Sequence, residues 1–166
     1  MADPGTELRQ IADIAARQAV RRVVEECARR GDRRDTSGQL ALFAPEARLA
    51  VYYGHQRTDQ PVATFQGHEE IARALAAPDD GRHLYHFLGQ TTIELDGDTA
   101  AAETLCIAHQ LSETDAGRLL RTTHNRYADS FRRIADTWLL TSRDIFLAWA
   151  EDRTLGDDAM APPTVG

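Results

Sequence analysis

Between His83 and Ala148 the chain carries long strand-like runs separated only by turn signals, and this pattern constrains the fold most. His83–Leu95 runs into Asp96-Gly97-Asp98, a strong hairpin signal. Ala100–Leu111 is followed by Ser112–Gly117, and Leu119–Arg133 passes through Ala135-Asp136 into Trp138–Ala148. Hairpin-linked strands in this order form an antiparallel meander. Helical periodicity dominates the stretch before them. Leu8, Ile11, Ile14, Ala15, Val20, Val23, Val24 and Cys27 recur at three- and four-residue steps, predicting a helix over Thr6–Arg30 that Gly31 ends. The arginines of that stretch fall mostly on its other face and read as solvated. A short helix over Thr36–Phe43, capped by Asp35 or Thr36, a strand over Ala47–Tyr53 and a helix over Gly67–Ala77 complete the set. Helices first and antiparallel strands later mean α+β, with the helices on one face of a curved, mainly antiparallel sheet. Such a sheet, closed by helices, makes a cone with a pocket at its open end, where small molecules bind.

The 166 residues suit one domain, read here as 6–151, with tails at 1–5 and 152–166. No apolar run is long enough for a membrane span, and the charged N-terminus is unlike a signal peptide, so a cytoplasmic protein is expected. A net charge of −7 argues against nucleic-acid or membrane partners. All 19 basic residues are arginine, which excludes Schiff-base catalysis, a lysine-tethered cofactor and a P-loop. Cys27 and Cys106 are too few for a disulfide framework and read as small buried hydrophobes. A small-molecule substrate and no cofactor are therefore expected.

Few residues combine reactive chemistry with a structured position. Asp32 and Asp35 lie where the first two helices meet; Asp35 reads as a helix cap, and Asp32 is either a structural ion-pair partner or a functional carboxylate. His86 alternates with Leu84 and Leu88 on one strand face. An imidazole among leucines needs partners for its nitrogens, and apolar surroundings favour its uncharged, basic form. His109 shares a face with Leu105 and Ile107 on the next strand, so both histidines are expected to point inward. With Asp32 they make an acid–base set. A metal site of two histidines and one carboxylate has the same ingredients, but no short metal-binding motif is present and no metal is expected. Tyr52, Tyr85, Asn125 and Tyr127 are candidate substrate contacts. Asn125, Tyr127, Asp129 and Phe131 share one face of their strand, with His124, Arg126 and Arg132 on the other. Trp138 and Arg143 read as core packing and a structural ion pair, and His55 and His68 as solvated.

The segments Gly31-Asp32-Arg33-Arg34-Asp35, Leu42-Phe43-Ala44-Pro45-Glu46-Ala47, Gly67-His68-Glu69-Glu70-Ile71, His86-Phe87-Leu88-Gly89, Leu95-Asp96-Gly97-Asp98-Thr99-Ala100 and Arg126-Tyr127-Ala128-Asp129 through Trp138 carry a resemblance in their order and spacing. Over residues 8–150 the chain resembles the SnoaL-like branch of the nuclear-transport-factor-2-like superfamily. The resemblance implies a long N-terminal helix, a strongly bent mixed sheet, a conical cavity and a homodimer or higher homo-oligomer formed through the sheet. Within the branch the chemistry is most similar to scytalone dehydratases, whose aspartate and two histidines match Asp32, His86 and His109. Where those enzymes place a tyrosine before the aspartate, this chain has Gly31; Tyr52 or Tyr53 matches their second tyrosine. SnoaL-type polyketide cyclases use an aspartate and histidine on related substrates. The implied activity is a cofactor-independent cyclase, dehydratase or isomerase acting on a polyketide-like or cyclic carbonyl or phenolic compound in an apolar cavity. The alternative is a non-catalytic ligand-binding or partner subunit resembling the beta subunit of aromatic-ring dioxygenases.

Overall fold

A six-stranded curved sheet in the order β2-β1-β6-β5-β4-β3 carries three helices. The structure, a computed structural model, describes residues 3–54, 60–76, 83–115 and 117–156. In chain order these form α1 (Pro4–Asp32), α2 (Thr36–Leu40), β1 (Phe43–Tyr53), β2 (Ala63–Gln66), α3 (Gly67–Leu75), β3 (His83–Asp96), β4 (Thr99–Thr114), β5 (Gly117–Ile134) and β6 (Thr137–Leu155). Strands β3 to β6 form the expected antiparallel meander, while β1 pairs with β6 in parallel, so the sheet is mixed. No described helix is long and apolar enough to cross a membrane.

The core lies between α1 and the inner face of the sheet. Val20, Val23, Val24 and Cys27 pack on Phe43, Ala47, Leu49, Ala100, Ala102, Phe131 and Leu140. Asp35 caps α2, its Oδ1 accepting from the Gly38 N–H at 2.9 Å.

Several boundaries differ from the expectation. α1 begins at Pro4, within the expected tail, and β6 continues to Leu155, pairing Asp152 with Arg121 and Leu155 with Arg118. β1 starts at Phe43, where a helix was expected, because Ala44-Pro45 disfavours continuing α2. β2 is a short strand lacking its own pattern, and it forms because β1 offers it an edge. The last residue expected in the third helix, 77, lies outside the described residues. Leu8, Ile11 and Ile14 are exposed, since the apolar stripe of the first turns faces away from the core that the later turns bury.

The arginine face of α1 is not merely solvated. β3 is an edge strand, with backbone groups that no further strand pairs. Arg21 Nη2 donates to the Thr91 carbonyl at 3.1 Å, and Arg17 Nη1 donates to the Ile93 carbonyl. The helix thus seals part of the sheet edge. One turn on, Glu26 accepts from Arg29 Nε at 2.8 Å and Arg30 Nε at 3.2 Å. The hydrogen bond from Arg29 leads these effects and holds the Glu26 carboxyl down to about 2, against an ordinary 4.5. A depressed carboxylate contributes stability that is complete above the unfolded value and is lost as pH falls through the folded one. Glu26→Gln should therefore flatten the part of the acid-unfolding curve between pH 4.5 and 2, measured by circular dichroism, and leave the neutral range almost unchanged.

Candidate active site

Gly31 and Asp32 close the last turn of α1, and the C-cap Arg33 directs the chain away. This leaves the Asp32 carboxylate aimed at β3. Its Oδ1 lies 2.5 Å from His86 Nδ1. The same carboxylate accepts the backbone N–H of His86, at 3.1 Å and 3.2 Å to its two oxygens. Ring and backbone of one residue are thus clamped by one side chain. A carboxylate only accepts, so the Nδ1 proton points at Asp32 and the Nε2 lone pair is left to receive a proton. His86 Nε2 has no partner among the described residues. Both side chains are about one-fifth exposed, so the pair is open to solvent or substrate.

The pair borders a cleft of about 520 Å³ between the end of α1 and β3, lined by Glu25, Ala28, Arg29, Asp32, Arg33, Leu84, Tyr85, His86 and Leu88. The expectation of an apolar cavity is corrected at this cleft: Leu84 and Leu88 provide apolar surface, but α1 contributes Glu25, Arg29, Asp32 and Arg33.

Strand register decides which other candidates reach the pair. His86 lies opposite Ala108, and His109 opposite Tyr85, so His109 and His86 are on opposite faces of the sheet. The Leu105 and Ile107 face of β4, which includes His109, looks outward, away from α1. His109 Nδ1 lies 3.1 Å from Thr122 Oγ1 there. The inner face of β4 is instead Ala100, Ala102, Thr104 and Cys106. The expectation failed because the inward face carries the smaller, less hydrophobic side chains. Tyr52 also faces outward, stacked on Phe146 at 5.0 Å between ring centres, and Tyr85 is exposed. Tyr53 is the tyrosine of the pair whose position shares the face of Leu49 and Val51.

Asn125 and Tyr127 do share the inner face with His86. Asn125 lies opposite Cys106, which lies opposite Leu88, two residues from His86. Its Nδ2 donates to Thr123 Oγ1 at 2.9 Å. Tyr127 is buried, and its hydroxyl bonds to Cys106. Burial first, then Cys106, pushes the Tyr127 hydroxyl well above its ordinary value, and burial likewise raises the Cys106 thiol. Tyr127 is therefore a buried packing residue that does not line the cleft.

Sequence reasoning undervalued Arg143. Its Nε and Nη2 donate to the two oxygens of Asp129 at 2.8 Å and 2.7 Å, and its Nη1 donates to Cys27 Sγ at 3.0 Å. Its guanidinium carbon lies 4.8 Å from the Tyr127 ring centre. Burial disfavours the charge, but Asp129 beside it keeps the guanidinium well above its ordinary value. The ion pair was expected; its place beneath α1, tying helix to sheet, was not. His68 was read as solvated, but its Nε2 lies 2.9 Å from the Phe43 carbonyl. His55 lies outside the described residues. Among the described residues no group of three or more histidine, cysteine or acidic side chains is placed to hold a metal.

A bent mixed sheet wrapped on a long N-terminal helix is the nuclear-transport-factor-2-like fold. The chain belongs to the SnoaL-like family, whose domain model matches residues 12–144. Solved structures with this fold include a proposed scytalone dehydratase from Novosphingobium aromaticivorans (12% identity, 89% of this chain and 93% of that one, TM-score 0.71). A type 3 hexachlorocyclohexane dehydrochlorinase from Novosphingobium barchaimii matches at 14% identity over 93% of this chain and 99% of that one, TM-score 0.71. The beta subunit of a proposed aromatic-ring-hydroxylating dioxygenase from Novosphingobium aromaticivorans matches at 19% identity over 84% and 92%, TM-score 0.69. No curated protein sequence gives a significant match.

Proposed function

We propose that this SnoaL-like protein is an acid–base enzyme that needs no cofactor and acts on a small polyketide-like or cyclic carbonyl or phenolic compound. The observation that carries this reading is the 2.5 Å contact between Asp32 and His86 at an open cleft. His86 Nε2 takes a proton from the carbon next to a substrate carbonyl, and Asp32 balances the imidazolium that forms. The resulting enolate expels a hydroxyl, attacks a second carbonyl or is reprotonated elsewhere, giving dehydration, cyclisation or isomerisation. With His109 on the far side of the sheet, the protonated His86 or a water returns the proton. The proton inventory closes on one histidine. The test is exchange of carbon-bound hydrogen for solvent deuterium, followed by NMR across a panel of cyclic β-hydroxyketones and phenols. Exchange by the wild type that disappears in Asp32→Asn supports the reading; equal rates in both proteins reject it.

The neighbouring dioxygenase beta subunit suggests a second reading, a partner subunit without chemistry of its own. One observation favours an assembled protein in either case. Tyr85, Phe87, Leu105, Ile107 and Trp149 are exposed on the outer sheet face, the last four around a groove of about 360 Å³. A contiguous exposed apolar surface of this kind marks an interface. A homodimer formed through this face accounts for it. Sedimentation at micromolar concentration should show a dimer or larger species, and Phe87→Glu with Trp149→Glu should shift it to monomer. A wild-type chain that sediments only as monomer removes this interface.

A further inference from the structure

The charges around the cleft are not equivalent. Near the end of α1 stand Arg29, Arg30, Arg33 and Arg34. Arg29 and Arg30 are held by Glu26, and Arg30 also lies 3.9 Å from Asp35. Arg34 has a partner as well. The Arg33 side chain alone of the four makes no hydrogen bond or ion pair with any described residue; only its backbone N–H is engaged, donating to the Gly31 carbonyl. It is exposed and lines the same cleft as His86. Of the two carboxylates on that cleft, Asp32 is directed at His86, and Glu25 stands two helical turns before Arg33. A guanidinium presents paired N–H donors that match a carboxylate in a planar, two-point contact.

We infer that Arg33 selects substrates bearing a carboxylate, which it binds while the acidic carbon–hydrogen bond faces His86. This rests on the acid–base reading above for what happens next, but the binding preference does not depend on it. Arg33 sits at the cleft and not on the reacting atoms, so its contact is equal in the ground and transition states. Its loss should raise KM and leave kcat unchanged.

The probe is phenylpyruvate, which carries a carboxylate and benzylic hydrogens next to a ketone, compared with its methyl ester, which keeps the ketone and loses the charge. Binding is read by NMR titration of the full chain, following the His86 amide and the Arg33 Nε–H. The wild type should bind the acid at least fivefold more tightly than the ester. That preference should vanish in Arg33→Ala, survive in part in Arg33→Lys and shrink as salt is added. Equal binding of acid and ester, a preference for the ester, no binding of either, or a preference that persists in Arg33→Ala overturns the inference. Benzylic deuterium exchange in the same samples reports separately on the base. Selective binding without exchange keeps the role of Arg33 and rejects His86 as base on this compound, whereas exchange of acid and ester alike does the reverse.

Discussion

Replacing His86 with alanine is expected to lower turnover by about 10²–10⁴-fold, the usual contribution of a positioned acid–base group, while the protein stays folded. The fold should persist because the tie between α1 and β3 does not depend on the ring. The backbone N–H of residue 86 still donates to Asp32, and Arg17 and Arg21 still hold the strand edge. Substrate affinity should stay within about tenfold, since His86 is one of nine residues lining the cleft and the others remain. Asp32→Asn should lose nearly as much turnover for a different reason. An amide can donate to Nδ1, which places the ring proton on Nε2 and removes the lone pair that does the work. The two variants should therefore look alike in kinetics but differ in NMR: Asp32→Asn retains the imidazole signals and changes their tautomer. Turnover unchanged in His86→Ala, on any compound the wild type converts, would remove the pair from the mechanism.

Asp129→Ala is expected to be the most destabilising single change in the sheet. Asp129 is the bidentate partner of Arg143, with no side-chain exposure of its own and little for Arg143. Removing it leaves a guanidinium beneath α1 with the Cys27 sulfur and the Tyr127 ring as its remaining contacts, too weak as acceptors to offset desolvation. Breaking a buried pair from one side costs about 3–5 kcal/mol. For a chain of this size that lowers Tm by about 10 °C. The double change Asp129→Leu with Arg143→Met should recover much of the loss, because it removes the uncompensated charge rather than exposing it. Thermal unfolding by calorimetry checks both. A single variant that melts within 2 °C of the wild type, a limit of about 1 kcal/mol, would show that water reaches the guanidinium.

The sequence was most informative where local chemistry and periodicity point the same way. Gly31-Asp32 follows an amphipathic run, so a carboxylate had to fall at a helix end. Leu84-His86-Leu88 alternates on a strand, so the imidazole had to share a face with leucines. Asn125, Tyr127, Asp129 and Phe131 share one face of β5 as their alternation predicted, with Arg126 and His124 opposite them, and the fold makes it the inner face. The hairpin at Asp96-Gly97-Asp98 forms where expected, Gly97 taking φ 56° and Thr99 beginning the return strand.

What the sequence could not decide is which face of a strand is inside. On β4 both faces are apolar. Ala100, Ala102 and Cys106 face α1, while Leu105 and Ile107 face outward with His109. Hydrophobicity alone favours burying the larger pair, yet Ala100 and Ala102 are the β4 residues that join the core. Tyr52 falls outside for the same reason, and Tyr85, on the same outer face, still borders the cleft: alternation fixes their phase relative to neighbours, not the side on which the helix packs. Asp32 and His86 were therefore legible as a helix-end carboxylate and a strand imidazole. Their meeting at 2.5 Å, the exclusion of His109 and the unpaired state of Arg33 arise only when α1 is laid across β3, because distance between residues 54 positions apart is a property of packing and not of pattern.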